Sequence, residues 1–255
     1  MKVYDPATGQ WQAMGTQQIE VLASLGDVTE ACPYLPEEKA CLHFISGEVA
    51  GPSYRELLDQ GYRRNGVYLY RPVCAQCSAC EVLRVPIATF QQSRGQRRVW
   101  RRGTQHFTCA VEPAQASPGK SALYSKYLAW QHNTQREEIG ESQYEEFLVR
   151  SCAGVETFEV QLWKEGALAG VGVVDCMEDA LSSVYFYFDP AWARLSPGTF
   201  SALCEIELAR EWGLKYYYLG YYIAACRQMN YKARFRPCEI KQPGAKEWRR
   251  VEREQ

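Results

Sequence analysis

Residues 158–188 read FEVQLWKEGALAGVGVVDCMEDALSSVYFYF, and this stretch decides the fold. Three apolar runs, Phe158–Trp163, Leu168–Cys176 and Leu181–Phe188, are separated by two short polar turns, Lys164-Glu165-Gly166-Ala167 and Glu178-Asp179. Val, Leu, Tyr and Phe dominate the runs, and such side chains fit a pleated, half-buried surface. Turns this short return the chain beside itself, so an antiparallel meander is expected. After Asp189-Pro190 the pattern changes. Gly198 to Trp212 is apolar on nearly every face and stops at Gly213, which predicts a long buried helix. Tyr216–Tyr222 then reads as a further strand.

Working outward toward the N-terminus, Lys120–Arg136 reads as a helix with an apolar stripe of Leu123, Tyr127, Leu128 and Trp130. Ser142–Arg150 reads as a shorter one, with Ser142 as N-cap and Glu145 completing a capping box. Pro113, Ser117, Pro118 and Gly119 make Glu112–Gly119 the expected linker, dividing the chain into an N-terminal region, 1–112, and a C-terminal domain, 113–255. Before it, Val67–Pro72 and Glu81–Phe90 alternate as strands, and Tyr54–Gln60 is a short helix stopped by Gly61. Cys32-Pro33-Tyr34-Leu35-Pro36 is a rigid turn, and Ile19–Leu25 is an amphipathic or strand-like piece within a leader. The expected class is α+β. An antiparallel-rich sheet flanked by helices, with strands, a long helix and one more strand in that order, is the succession of an N-acetyltransferase-like core, here joined to a cysteine-containing N-terminal region.

The chain has 255 residues, of which 46% are hydrophobic and 13% aromatic, enough for a sizeable core and too apolar for a disordered protein. The N-terminus lacks an apolar run of signal-peptide length, and no window approaches the roughly 18 apolar residues of a membrane span, so a cytoplasmic location without membrane contact is expected. Eleven cysteines, an odd number without an export signal, then read as reduced thiols. The formal net charge of −1 conceals a local excess: residues 62–102 hold nine arginines against the single acid Glu81. A concentrated basic segment matters more for a polyanionic partner than the whole-chain sum.

Three features carry chemistry. Cys74-Ala75-Gln76-Cys77-Ser78-Ala79-Cys80 places three thiols at two-residue spacing, with Cys32 in a similar turn as a fourth ligand. Such a set suits a structural zinc or an iron–sulfur cluster; alternatively these are small residues of a connecting loop. The basic run from Phe90 to Arg102 offers Arg94, Arg97, Arg98 and Arg101 to phosphates or to a carboxylate, with Trp100 as a stacking surface; a solvated charged helix is the alternative. The third is the tyrosine-rich segment 216–222 with its sequel Tyr231, Lys232 and Arg234. Aromatics such as Tyr218 beside fixed cations suit a pocket for an anionic or planar substrate, against the reading of a core strand with a charged exit. His43, His106 and His132 stand alone and no nucleophile motif is present, which fits direct transfer between two bound substrates.

Cys32-Pro33-Tyr34-Leu35, Tyr68-Leu69-Tyr70-Arg71-Pro72 with the three cysteines, Ser93-Arg94 with Gln96-Arg97-Arg98, Leu181 to Tyr185 through Asp189-Pro190, Gly198-Thr199 to Glu205-Ile206, and Tyr218 to Ile223 with Cys226, Met229 and Tyr231-Lys232 occur in that order over nearly the whole chain. The set resembles the arginyl/leucyl-tRNA–protein transferases of the N-degron pathway, in the compact bacterial branch of aspartate/glutamate leucyltransferases. The resemblance implies leucyl-tRNA as donor, proteins beginning with Asp or Glu as acceptors, and no cofactor required for the chemistry. An aminoacyl ester is already activated, so catalysis reduces to positioning and a general base. Glu205 and Glu207, on the buried helix, are the candidate bases, with Asp189 and Tyr222 as alternatives. Two other readings stay open: an acyl-CoA-dependent N-acetyltransferase, for which Arg194–Thr199 is a weak pyrophosphate turn, and a non-enzymatic zinc-ribbon RNA-binding module.

Overall fold

The computed structural model describes residues 2–5, 10–13, 23–132 and 138–252. Its strands in chain order are β1 (Lys2–Asp5), β2 (Gln10–Ala13), β3 (Ser24–Ala31), β4 (Lys39–Ser46), β5 (Arg63–Asn65), β6 (Tyr68–Pro72), β7 (Glu81–Pro86), β8 (Thr108–Pro113), β9 (Glu156–Lys164), β10 (Ala167–Met177), β11 (Ala180–Phe188), β12 (Tyr216–Tyr222), β13 (Cys238–Lys241) and β14 (Arg249–Val251). The principal helices are α1 (Tyr54–Asp59), α2 (Arg94–His106), α3 (Pro118–His132) and α4 (Pro197–Glu211).

The expected meander is β9–β10–β11, antiparallel throughout. Its first turn holds Glu165 at φ 51° and Gly166 at φ 79°, the paired left-handed conformation that matches the twist of a two-residue hairpin. Helix α4 then carries the chain back so that β12 lies parallel to β11, with Ala180 opposite Tyr216 and Ser182 opposite Tyr218. The helix is buried on most faces because Phe200, Leu203, Ile206 and Ala209 leave it no polar stripe; Leu203, Ile206 and Ala209 pack with Val174, Leu181 and Tyr217 of the sheet, and Phe200 packs with Leu162 and Ala169. Each such large side chain contributes roughly 1.5–3 kcal/mol by leaving water.

The complete sheet has eight strands in the order β14-β13-β7-β12-β11-β10-β9-β8. β7 runs antiparallel to both β12 and β13. The division expected at residue 112 falls near the end of β8, and both β7 and β8 pair with strands that follow it in sequence. The linker expected over Glu112–Gly119 is shorter: Glu112 and Pro113 still pair with β9, and α3 begins at Pro118. Proline is tolerated there because β8 is the edge strand.

A second sheet, in the order β3-β4-β6-β5, packs with α1 around Tyr54, Leu57, Leu58, Tyr62 and Leu69. The rigid turn at 32–36 joins β3 to β4. The second strand expected over Glu81–Phe90 ends at Pro86, and the helix expected over Lys120–Arg136 is described to His132; residues 133–137, like 19–22 of the Ile19–Leu25 piece, lie outside the described residues. The Ser142–Arg150 helix opens one residue earlier, at Glu141. Gly140 is its cap, receiving the Gln143 side chain on its N–H at 3.0 Å, and the second half widens into a π-turn.

Candidate active site

Between the two sheets lies a cavity of about 970 Å³, walled by the 32–36 turn, the cysteine loop, β5, β11, α4, β12 and the segment after it. Its chemistry gathers around two places.

The first is Glu205 on α4, 1% exposed. Ser201, one helical turn earlier, donates to its Oε1 at 2.8 Å, and the Tyr217 hydroxyl from β12 donates to Oε2 at 2.5 Å. Ser183 of β11 also hydrogen-bonds the carboxylate. Burial pushes the Glu205 carboxyl up to about 7; the three hydroxyls hold it from rising further, because they favour the ionised form. Room for the group is made by Gly172 on β10, where a Cβ would stand 2.5 Å from Oε1 and 2.8 Å from the Ser201 hydroxyl. Tyr231 faces the same cavity, and burial raises its phenol to about 12, so it stays protonated and able to donate.

The second place is a bulge in β12. The register against β7 shifts between Tyr218 and Gly220, and Gly220 sits at φ +87°. Lys232 donates from Nζ to the Tyr221 carbonyl at 2.9 Å. Burial first, and then the charge of Arg63, push the Lys232 ammonium down to about 7. Arg63, 6% exposed at the start of β5, lies over the rings of Tyr218 and Tyr221.

The remaining expected site residues are placed as follows. Glu207 pairs with Arg210 on the outer side of α4. Asp189 accepts from Lys126 at 2.8 Å and caps the short helical turn after β11 through the Ala191 N–H at 3.0 Å. Tyr222 packs beside the main core and Tyr218 is fully buried, its hydroxyl donating to Asp59. None of these four lines the cavity. Arg234 is exposed. Arg94, Arg97, Arg98 and Arg101 stand exposed on α2, whose start is fixed by a reciprocal box between Ser93 and Gln96. Trp100 is no free stacking surface; it packs on Phe200 with ring centroids 5.6 Å apart.

Cys32, Cys74, Cys77 and Cys80 all line the cavity. Among the described residues, however, no three cysteine, histidine or acidic side chains stand close enough together to hold one metal ion. Burial pushes the Cys80 thiol up to about 12, and Cys74 accepts the Cys41 N–H at 3.4 Å while donating to its carbonyl at 3.8 Å.

Reasoning from the sequence overlooked Arg63, Ser183 and Tyr217 as individuals. Tyr217 was visible only as one of five tyrosines, and nothing local separates Arg63 from the adjacent Arg64, which is absorbed by a buried pair with Asp175 at 2.8 Å.

Two family models match this chain: "Arginine-tRNA-protein transferase, N terminus" over residues 30–98, and "Arginine-tRNA-protein transferase, C terminus" over residues 119–242. A protein of Acinetobacter baumannii named aspartate/glutamate leucyltransferase is 38% identical over 226 residues, 87% of this chain and 82% of its own. One of the same name from Stutzerimonas stutzeri is 38% identical over 82% of this chain and 89% of its own. Among solved structures, the C-terminal domain of a putative lysylphosphatidylglycerol synthetase from Agrobacterium fabrum superposes over 85% of this chain and 82% of that one, with 14% identity and a TM-score of 0.46.

Proposed function

The chain belongs to the arginine-tRNA-protein transferase family, and from that membership together with the geometry of its cavity we propose that it moves leucine from leucyl-tRNA to the N-terminal α-amine of proteins beginning with Asp or Glu. The modified proteins would be marked for degradation, in the cytoplasm.

Glu205 supports the reading best: it is a carboxylate with its pKa near working pH, on the wall of a cavity large enough for two reactants. In the proposed step the acceptor α-amine attacks the ester carbonyl carbon of the aminoacyl end. The new C–N bond forms as the C–O bond to the terminal ribose breaks. Glu205 takes the proton that the amine loses, and the departing ribose oxygen receives it. An α-amine has a pKa of about 7.7–8.0, so on the order of a tenth is neutral at pH 7, and a base with a similar proton affinity suits it. Ser201, Ser183 and Tyr217 hold the carboxylate in one orientation. The apolar side chains of Val184, Phe186, Phe188 and Ala202 offer a wall for the leucyl group. The exposed arginines of α2 offer phosphate contacts to the tRNA outside the cavity.

The test is a transfer assay with labelled leucyl-tRNA and, separately, arginyl-tRNA, using a peptide that begins with Asp. Leucine joined to the peptide's α-amine is expected, identified by mass spectrometry. Arginine transfer without leucine transfer would overturn the donor assignment, and no transfer from either would overturn the function.

A further inference from the structure

Among the described residues, Arg63 has no counter-charge, while the neighbouring Arg64 and Arg84 do. Arg64 meets Asp175 at 2.8 Å, and Arg84 meets Glu239 at 2.8 Å and Asp59 at 3.4 Å. Arg63 has only an Nη1 bond to the Tyr62 carbonyl, at 3.2 Å; its Nε and Nη2 are buried with no hydrogen-bond partner. No described carboxylate lies within ion-pair distance of it. A buried guanidinium in this condition is destabilising unless something completes it.

Lys232 is in a similar position. One bond to the Tyr221 carbonyl uses one of three ammonium donors, and no described carboxylate pairs with it. Both side chains line the cavity that holds Glu205. They converge on Gly220, where an added Cβ would stand 3.4 Å from Lys232 Nζ and 3.8 Å from Arg63 Nε. The bulge holds Gly220 in the left-handed region that favours glycine, and both cations come within contact distance of its open side. Burial and then the Arg63 charge both disfavour the Lys232 ammonium, and an anion between the two cations would relieve both.

We propose that Arg63 and Lys232 together grip the side-chain carboxylate of the acceptor's first residue, and so are the specificity-determining residues of the transfer reaction. The inference rests on the aminoacyl-transfer reading given above. The planar fork of Arg63 presents Nε and Nη2 for a two-point contact with a carboxylate, while the flexible Lys232 follows the extra methylene between Asp and Glu. Asn and Gln have nearly the same shape but no charge, and would leave the cations unpaired in a desolvated site.

The experiment measures kcat/KM for peptides that begin with Asp, Glu, Asn or Gln and are otherwise identical, with leucyl-tRNA saturating. For the unmodified enzyme the acids should exceed the amides by about 100-fold or more, with Asp and Glu much closer to each other. In Arg63→Gln and Lys232→Gln the Asp/Asn ratio should collapse toward 10-fold or less through KM, while Lys232→Arg should keep it. The ratio is read on one protein preparation, so partial misfolding lowers both rates and leaves it unchanged. Should Arg63→Gln fail to fold, Lys232→Gln decides. An unchanged ratio in Lys232→Gln, or equal rates for Asp and Asn in the unmodified enzyme, would overturn the proposal while leucine transfer itself stands. Absence of transfer to every peptide from either tRNA would instead overturn the function on which it rests.

Discussion

Replacing Glu205 by Gln keeps the shape of the side chain and removes its ability to take a proton. Ser201 can still donate to Oε1, and the new amide can donate to the Tyr217 oxygen, so the local hydrogen bonds survive in altered sense. If Glu205 is the general base, kcat should fall by about 10²–10⁴-fold, with KM for the peptide changing little. Stability gives a second, independent readout. The folded carboxyl titrates near 7 against an ordinary value of 4.5. Between those pH values the folded state holds the proton more tightly than the unfolded state, so this group's contribution to stability is greatest below 4.5 and falls as pH rises to 7. The whole difference is roughly 3 kcal/mol at about 1.4 kcal/mol per pH unit. Gln has no such dependence. The variant's stability relative to the parent should therefore rise between pH 5 and pH 8, by up to on the order of 5–10 °C in Tm, whatever constant offset the substitution adds. Activity would be followed by leucine transfer over the same pH range, where the parent's rise near pH 7 should vanish in the variant and leave only the later rise set by the acceptor amine, at about 7.7–8.0. Normal kcat in Glu205→Gln, or lost activity with the rise near pH 7 intact, would refute the role of Glu205 as base.

Other perturbations test the surrounding structure. Replacing both Arg97 and Arg98 by Ala should weaken tRNA binding and lower the log–log salt slope by about 0.7–0.9 per lost phosphate contact, measured by filter binding at several salt concentrations; an unchanged slope would remove them from the tRNA interface. Asp175→Asn should cost about 3–5 kcal/mol in chemical denaturation, because it leaves Arg64 charged and unpaired where both side chains have no exposure. Gly172→Ala should reduce transfer more than stability, since its methyl group would press on the Glu205 carboxylate and not on an apolar neighbour. Gly103→Ala should do the reverse, destabilising by about 1–3 kcal/mol as α2 is levered off Phe200, with the Asp/Asn preference of the remaining activity unchanged.

Much of the fold was legible because its signals are local. The turn Glu165-Gly166 forces a hairpin whatever surrounds it, and the near-absence of a polar stripe on 198–212 predicts a buried helix that then occurs over 197–211. Tyr216–Tyr222 was read as a strand to the residue. What failed was also local in cause. Pro113 reads as a break, but an edge strand tolerates it; Ser142 reads as a cap, yet Gly140 with Gln143 caps that helix two residues earlier.

The sequence by itself determined the order of elements, the apolar character of α4, the concentration of arginine before residue 102 and the set of motifs that placed the chain in its family. It did so because turn chemistry, side-chain periodicity and charge runs are properties of neighbours along the chain. Only the tertiary structure decided which members of each set act. It separated Glu205 from Glu207, Arg63 from Arg64, and Tyr217 from Tyr218, each pair alike in sequence and opposite in surroundings. It also set Cys32, Cys74, Cys77 and Cys80 along the wall of one cavity. These outcomes depend on which way a side chain faces and on what a distant segment brings to meet it. β5 and β12 lie some 150 residues apart in sequence, and Arg63 meets Gly220 and Lys232 only because the fold closes that gap.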